Sequence, residues 1–187
     1  TPATGYKFVS WSDGNKNAVR SDLDVTANVN VTANFAIQTF SVNYAAGANG
    51  SISGTKAQTV KYGASATLVT ATPAAGYKFV SGSDGNKNAA RTDTNVKANA
   101  THTASFELLT YTVTYSAGAN GSVTGSLTQT VNHNEASTNV VAVGDPGYEF
   151  DKWSDNKGAA TRNDTAVKGD ITVVASFKLT AAEIAAQ

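Results

Sequence analysis

Cysteine and methionine are both absent from the 187 residues. Without thiols the chain has no disulfide scaffold and no thiolate metal or redox chemistry, and without thioethers it has nothing of that kind to oxidise. Both absences suit an oxidising exterior. Charge is scarce as well. Only 15% of residues are charged, and 14 basic residues balance 14 acidic ones, so no long-range field draws the chain to nucleic acid or to an anionic membrane. No apolar run reaches the 18 residues of a membrane-spanning helix, and these residues show no signal-peptide pattern, as expected of a fragment of something longer. Nucleic-acid binding and membrane insertion by this segment are therefore not expected. The surface has to be built from Thr, Ser, Asn, Ala and Gly.

What the chain does have is a period. Thr1-Pro2-Ala3-Thr4-Gly5-Tyr6-Lys7-Phe8-Val9-Ser10 returns as Thr72-Pro73-Ala74-Ala75-Gly76-Tyr77-Lys78-Phe79-Val80-Ser81, 71 residues on, and more loosely as Val143 to Lys152. Phe40-Ser41-Val42-Asn43-Tyr44 and Tyr111-Thr112-Val113-Thr114-Tyr115 are each followed by Gly-Ala-Asn-Gly, at Gly47 to Gly50 and Gly118 to Gly121. A fixed period of this kind marks an array of supersecondary units. It divides the chain into residues 1–38, the C-terminal half of a module; 39–109 and 110–180, two complete modules; and 181–187, a linker or the start of a helix. Because Thr1 falls in mid-module, the segment reads as a piece of something longer. A module this small buries only about 60% of its unfolded surface, so each is expected to lean on its neighbour.

Helix signals are almost absent, whereas β-branched and aromatic residues alternate with polar ones between Gly, Asn and Asp clusters. The fold class is all-β. In the middle module this pattern predicts strands near Thr39–Ala45, Ser51–Tyr62 with a break at Gly54, Ser65–Thr72, Gly76–Gly82, Thr92–Lys97 and Thr101–Leu108. Asn49-Gly50 and Asn120-Gly121 read as type I′ hairpin turns. The last strand shows its buried face as Val29, Val31, Ala33, Phe35 and Ile37, and again as Ile171, Val173, Ala175, Phe177 and Leu179. In the middle copy that face reads Ala100, His102, Ala104, Phe106 and Leu108, and Gly82 stands where the others carry Trp11 and Trp153. Two losses in one copy imply either that His102 refills space vacated by the indole or that this module is looser. Thr180-Ala181-Ala182-Glu183 has capping-box spacing for a short helix.

Tyr-x-Val-x-Tyr, Gly-Ala-Asn-Gly-Ser, Gln-Thr-Val, Ala-x-Pro-x-x-Gly-Tyr-x-Phe-x-x-Trp-Ser-Asp and a closing Ala-x-Phe together resemble the divergent internalin B-type B-repeat family of bacterial surface proteins. The most specific stretch is Gly5 to Gly14, repeated with Gly82 in place of Trp and as Gly147 to Asp155. The resemblance covers nearly the whole chain. It implies a β-grasp-like or compact-sandwich module strung in tandem, a stalk or adhesive role outside the bacterial cell, and no catalytic residues.

Candidate chemistry is sparse. Trp11 and Trp153 lie on the strand parity opposite to Tyr6/Phe8 and Tyr148/Phe150. They are therefore either exposed rings for a sugar or a partner, or rings swung into the core or a module junction by a β-bulge. Asp13, Asn15, Asn17 and Asp24 match four positions of a calcium loop weakly, with Ala18 where that loop needs Gly, so a turn is the better reading. His102 and His133 have no metal-ligand spacing, and Asp22/Asp24 read as a variable turn. Tyr6, Phe8, Phe35, Tyr77, Phe79, Phe106, Tyr148, Phe150 and Phe177 read as structural aromatics. No cofactor is implied. The expectation is a non-catalytic stalk or spacer at the bacterial cell surface or outside the cell, partnered by a surface glycan or protein. The alternatives are a head-to-tail filament completed by strand donation and a carbohydrate-binding module using exposed Trp. The junctions Ala36-Ile37-Gln38 and Glu107-Leu108-Leu109 contain no flexible linker, which predicts an elongated, stiff rod.

Overall fold

A computed structural model describes residues 1–185, so the end of the 181–187 segment lies outside the described residues. The chain forms two compact units, Thr1–Ala74 with Phe79–Glu107, and Ala75–Lys78 with the residues from Leu108 onward.

In the first unit the half-module supplies an antiparallel pair, β1 (Tyr6–Trp11) and β2 (Ala33–Ile37). The complete module follows with β3 (Thr39–Ala46), β4 (Gly50–Ser53), β5 (Ala57–Lys61), β6 (Val69–Pro73), β7 (Tyr77–Gly82), β8 (Ala90–Arg91) and β9 (Ala100–Leu108). Its strands make a four-stranded sheet in the order β5-β3-β9-β7 and a three-stranded sheet in the order β4-β6-β8. The first and last strands, β3 and β9, pair in parallel. A parallel pair needs a long crossover, and here β4 to β8, which include the whole second sheet, form it. Alternation along each strand turns one face of each sheet inward: Val42, Tyr44, Val60 and Ala104 from one, Ile52, Val69 and Ala71 from the other, joined by Ala66 and Val96.

The second unit repeats this plan with β10 (Thr110–Ala117), β11 (Gly121–Gly125), β12 (Thr128–Asn132), β13 (Val140–Gly144), β14 (Tyr148–Trp153), β15 (Thr161–Arg162) and β16 (Ile171–Leu179). Its sheets are β12-β10-β16-β14 and β11-β13-β15, around a core of Val113, Tyr115, Val131, Val140, Ala142, Trp153, Val167, Val173 and Ala175. The short helix α1 (Ala181–Ala185) is capped at Thr180, whose Oγ1 accepts the Glu183 amide at 3.4 Å. The modules are thus small, two-sheet and all-β.

Three local expectations need correction. No strand forms over Thr92–Lys97, because Asn95 takes φ 53° and the backbone there bonds to the 63–66 turn instead of a ladder. The Gly63 amide donates to Val96 O at 2.7 Å and the Ala66 amide to Asp93 O at 2.8 Å. The Asn49-Gly50 turn is not type I′, since only Asn49 is left-handed. Gly50 is required for a different reason: a Cβ there would occupy the space of the Phe106 ring, as one at Gly121 would that of Phe177. Finally, β2 begins only at Ala33, and Val29 and Phe35 stay 47% and 43% exposed. In the complete modules the equivalent strand starts beside a parallel partner, with Val42 opposite Ala100. Among the described residues no strand lies beside residues 29–32.

Candidate functional site

The tryptophan position is set by a bulge. Along β14, Phe150 pairs with Phe177 and Lys152 with Ser176, leaving Asp151 as an extra residue. One extra residue reverses the side-chain parity beyond it, so Phe150 and Trp153 reach the same face although three positions separate them. The same shift falls between Phe8 and Ser10 in β1. Trp153 is consequently 0% exposed, which removes it as an exposed ligand contact and corrects the exposed-Trp alternative at that position. Its Nε1 donates to Ala159 O at 2.9 Å. The ring meets Tyr115 and Phe150 at centroid distances of 5.9 and 5.7 Å, and the Arg162 guanidinium lies 5.4 Å from its centroid. Trp11 keeps the matching bond to Asn17 O at 2.9 Å and an Arg20 contact at 5.7 Å, but is only half-buried. The structural aromatics recur as edge-on pairs, Phe8–Phe35, Phe79–Phe106 and Phe150–Phe177, at 6.0, 6.0 and 6.3 Å. Tyr77 and Tyr148 are half-buried, while Tyr6 is 44% exposed.

Against each tryptophan position sits an ion cluster that the motif reading passed over. Asp22 is not part of a variable turn: it recurs as Asp93 and Asp164, each two residues after Arg20, Arg91 and Arg162, while Asp13 recurs as Asp84 and Asp155. In the last copy Arg162 Nε and Nη2 donate to the two oxygens of Asp164 at 2.9 and 2.7 Å, and Nη1 to Asp155 Oδ1 at 2.6 Å. Lys157 Nζ and Tyr115 Oη each donate to Asp164 at 2.8 Å, and Ser137 Oγ accepts the Asp164 amide at 2.8 Å. Burial alone pushes the Asp164 carboxyl up, but donors from Arg162, Lys157 and Tyr115 outweigh it and hold it at about 2. Burial also raises the Tyr115 phenol, with the Asp164 bond adding to the effect. At neutral pH these groups are fixed as carboxylate, guanidinium and phenol. They act as a clamp between the β15 strand, the following turn and β10. The signal for them was a strict Arg-x-Asp recurrence in a chain with few charges.

The middle copy differs. Arg91 still holds Asp93 and Asp84, the latter at 2.7 Å, and Tyr44 Oη donates to Asp93 at 2.5 Å. Gly82 carries no indole, Asp84 Oδ1 stands 2.7 Å from where a Cβ at Gly82 would lie, and a cavity of about 30 Å³ remains, lined by Phe79, Gly82, Asn88, Arg91 and His102 among others. His102 takes up part of the space, its ring 5.9 Å from that of Tyr44 and its Nε2 3.0 Å from Arg91 Nη2. Because a guanidinium nitrogen only donates, Nε2 accepts, and the neutral ring carries its hydrogen on Nδ1. That atom is buried without a hydrogen-bond partner.

The remaining candidates are engaged locally. Asp13 Oδ1 accepts the Asn15 amide at 3.1 Å and Oδ2 accepts Arg20 at 2.6 Å, while Asn15 Oδ1 accepts the Asn17 amide at 2.9 Å. Asp24 shares a left-handed turn position with Asn95 and Ala166, at φ 51°, 53° and 51°. Among the described residues no group of three or more His, Cys, Asp or Glu converges on a metal position. His133 Nδ1 lies 3.2 Å from Tyr111 Oη, and its ring packs on Gly76, as Tyr62 packs on Gly5.

Two-sheet modules recurring at a fixed interval, each closed on an Arg–Asp clamp, define a tandem structural repeat. The model of the divergent InlB B-repeat domain matches residues 1–39, 40–109 and 111–181, and the chain belongs to that family. Among curated proteins no match was found.

Proposed function

We propose that this chain is a non-catalytic stalk or spacer segment of a bacterial cell-surface or secreted protein. The observation that carries the reading is the threefold family match on modules whose charged side chains bond to one another. Asp164, Arg162 and Tyr115 satisfy each other inside the protein, so the most polar cluster adds to stability rather than to turnover. Zero net charge and a hydroxyl-rich surface suit a segment that separates other parts of a protein. The test is a binding screen of the folded chain against glycans, cell-wall polymers and matrix proteins, with Trp11→Ala beside it. A spacer gives no saturable binding. Saturable binding that Trp11→Ala loses makes the segment adhesive through its half-module.

A second reading, the head-to-tail filament, draws on the half-module's uncovered apolar face. Val25 is 57% exposed where its counterparts Val96 and Val167 are 7% and 2% exposed, and Phe8, Trp11, Val19 and Phe35 line an open groove of about 250 Å³. Strands equivalent to β3 to β6 of the middle module would cover it, and in a filament another chain supplies them. Polymerisation that rises with concentration supports this reading, and a strict monomer at high concentration removes it.

A further inference from the structure

We propose that the middle module is a binding site for a small flat heteroaromatic ligand bearing an N–H, an indole or a close analogue, seated where the other copies carry tryptophan. The third module displays the intended occupant. Its indole is held by a carbonyl at Ala159, the ring of Phe150, the ring of Tyr115 and the face of Arg162. Each of these has its counterpart 71 residues earlier, at Asn88, Phe79, Tyr44 and Arg91, and three of the four line the cavity at Gly82. The cage has therefore kept its acceptor, its aromatic wall and its cation while losing the covalent ring. A cation over a ring face and a carbonyl toward a ring N–H together select a flat electron-rich donor over an aliphatic one.

His102 makes the site conditional. At about 30 Å³ the cavity as it stands holds roughly one water-sized group, so a bicyclic ligand enters only if the imidazole leaves. The imidazole is held on one side only, by the Arg91 bond to Nε2 and the Tyr44 ring. Its Nδ1 N–H is buried without an acceptor, 3.6 Å from Asp84 Oδ2, and Nε2 stands 3.6 Å from Asp93 Oδ1. An unmet buried donor recovers its hydrogen bond on reaching water, so outward rotation of His102 exchanges its one bond to Arg91 for hydration of both ring nitrogens. His102 thus occupies part of a site whose counterpart in the third module holds another ring. Its counterpart in the third module, Val173, is buried in the same core as the indole.

The test uses the whole chain, labelled with ¹⁵N and titrated with indole, with benzofuran as the isostere lacking the N–H. The expected result is a saturable shift of the Gly82, Asn88 and His102 amides, with those of Trp153 and Ala159 unmoved. Benzofuran binds roughly fivefold more weakly, the size of one net hydrogen bond. His102→Val copies the third module's lining and tightens indole binding about tenfold. Gly82→Trp, which supplies the ring covalently, abolishes the shift. Absence of a saturable shift in the unsubstituted chain up to the solubility of indole overturns the proposal, as does an equal shift in the third module. Because the wild-type titration decides, misfolding of a variant does not rescue the idea.

Discussion

At the scale of single residues the decisive fact is that Trp153 and Asp164 are both buried and both fully engaged. Trp153→Gly reproduces the middle module's loss without His102 to fill the space, and is expected to cost about 3–5 kcal/mol, as large-to-small aromatic truncations do, read as a lower denaturant midpoint for residues 110–180. Asp164→Asn leaves Arg162 with Asp155 as its remaining carboxylate partner, and loss of a charge-assisted bond of this kind costs about 1.5–3 kcal/mol. The same carboxylate sets an acid response. Its folded value, about 2, lies below the ordinary 3.8, so ionisation favours the folded state. That stability is complete above about pH 4 and is lost as pH falls through about 2. The Trp153 indole N–H resonance, followed from pH 5 to 2, reports the loss, and in Asp164→Asn this component of the pH dependence disappears.

At the scale of elements, aromatic rings press on glycines at fixed places. Gly121 opens β11 under the Phe177 ring, and Gly50 opens β4 under Phe106. A methyl added at Gly121 must displace that ring, and overpacking of this kind costs about 1–3 kcal/mol. Gly158→Ala meets nothing within 4 Å and is the matched control. Thermal midpoints of the two variants should separate, with Gly121→Ala lower, and equal midpoints would refute the packing role. Most elements were legible in the sequence, because period-two alternation and Gly or Asn punctuation mark strands such as β3 and β10 directly. What escaped is physically specific. The Thr92–Lys97 run alternates like a strand, yet Asn95 and the Asp93 clamp turn its backbone toward another loop. Parity placed Trp153 on the polar side, and only the unpaired Asp151 brings it inward. Bulges carry no strong residue signature, so the inward reading of Trp153 rests on the rarity of exposed large aromatics rather than on the strand pattern. The Arg-x-Asp clamp shows in the sequence only when Asp22 is aligned with Asp93 and Asp164, 71 and 142 residues on, and not when it is grouped with its neighbour Asp24.

At the scale of the molecule, two copies of one fold carry unequal cores. The third module centres on Trp153 and Tyr115, 0% and 1% exposed, and its Ser137 hydroxyl joins the clamp. In the middle module Ala66 stands at the serine's position, the tryptophan is Gly82, and a cavity of about 30 Å³ persists beside an unsatisfied His102 nitrogen. Lost ring burial, a residual void and an unmet donor all act in one direction, and together they set the middle module on the order of 2 kcal/mol below its sister. Native-state hydrogen exchange on the intact chain measures this without separating the modules. The slowest amides of β3 and β9 are expected to exchange roughly thirtyfold faster than those of β10 and β16, the factor that corresponds to this difference. Gly82→Trp combined with His102→Val gives the middle module the lining of the third and should close most of that gap. Equal protection of the two modules in the unsubstituted chain would mean that His102 and the surrounding collapse offset the missing indole in full, and that the repeat tolerates loss of its most recognisable residue without thermodynamic cost.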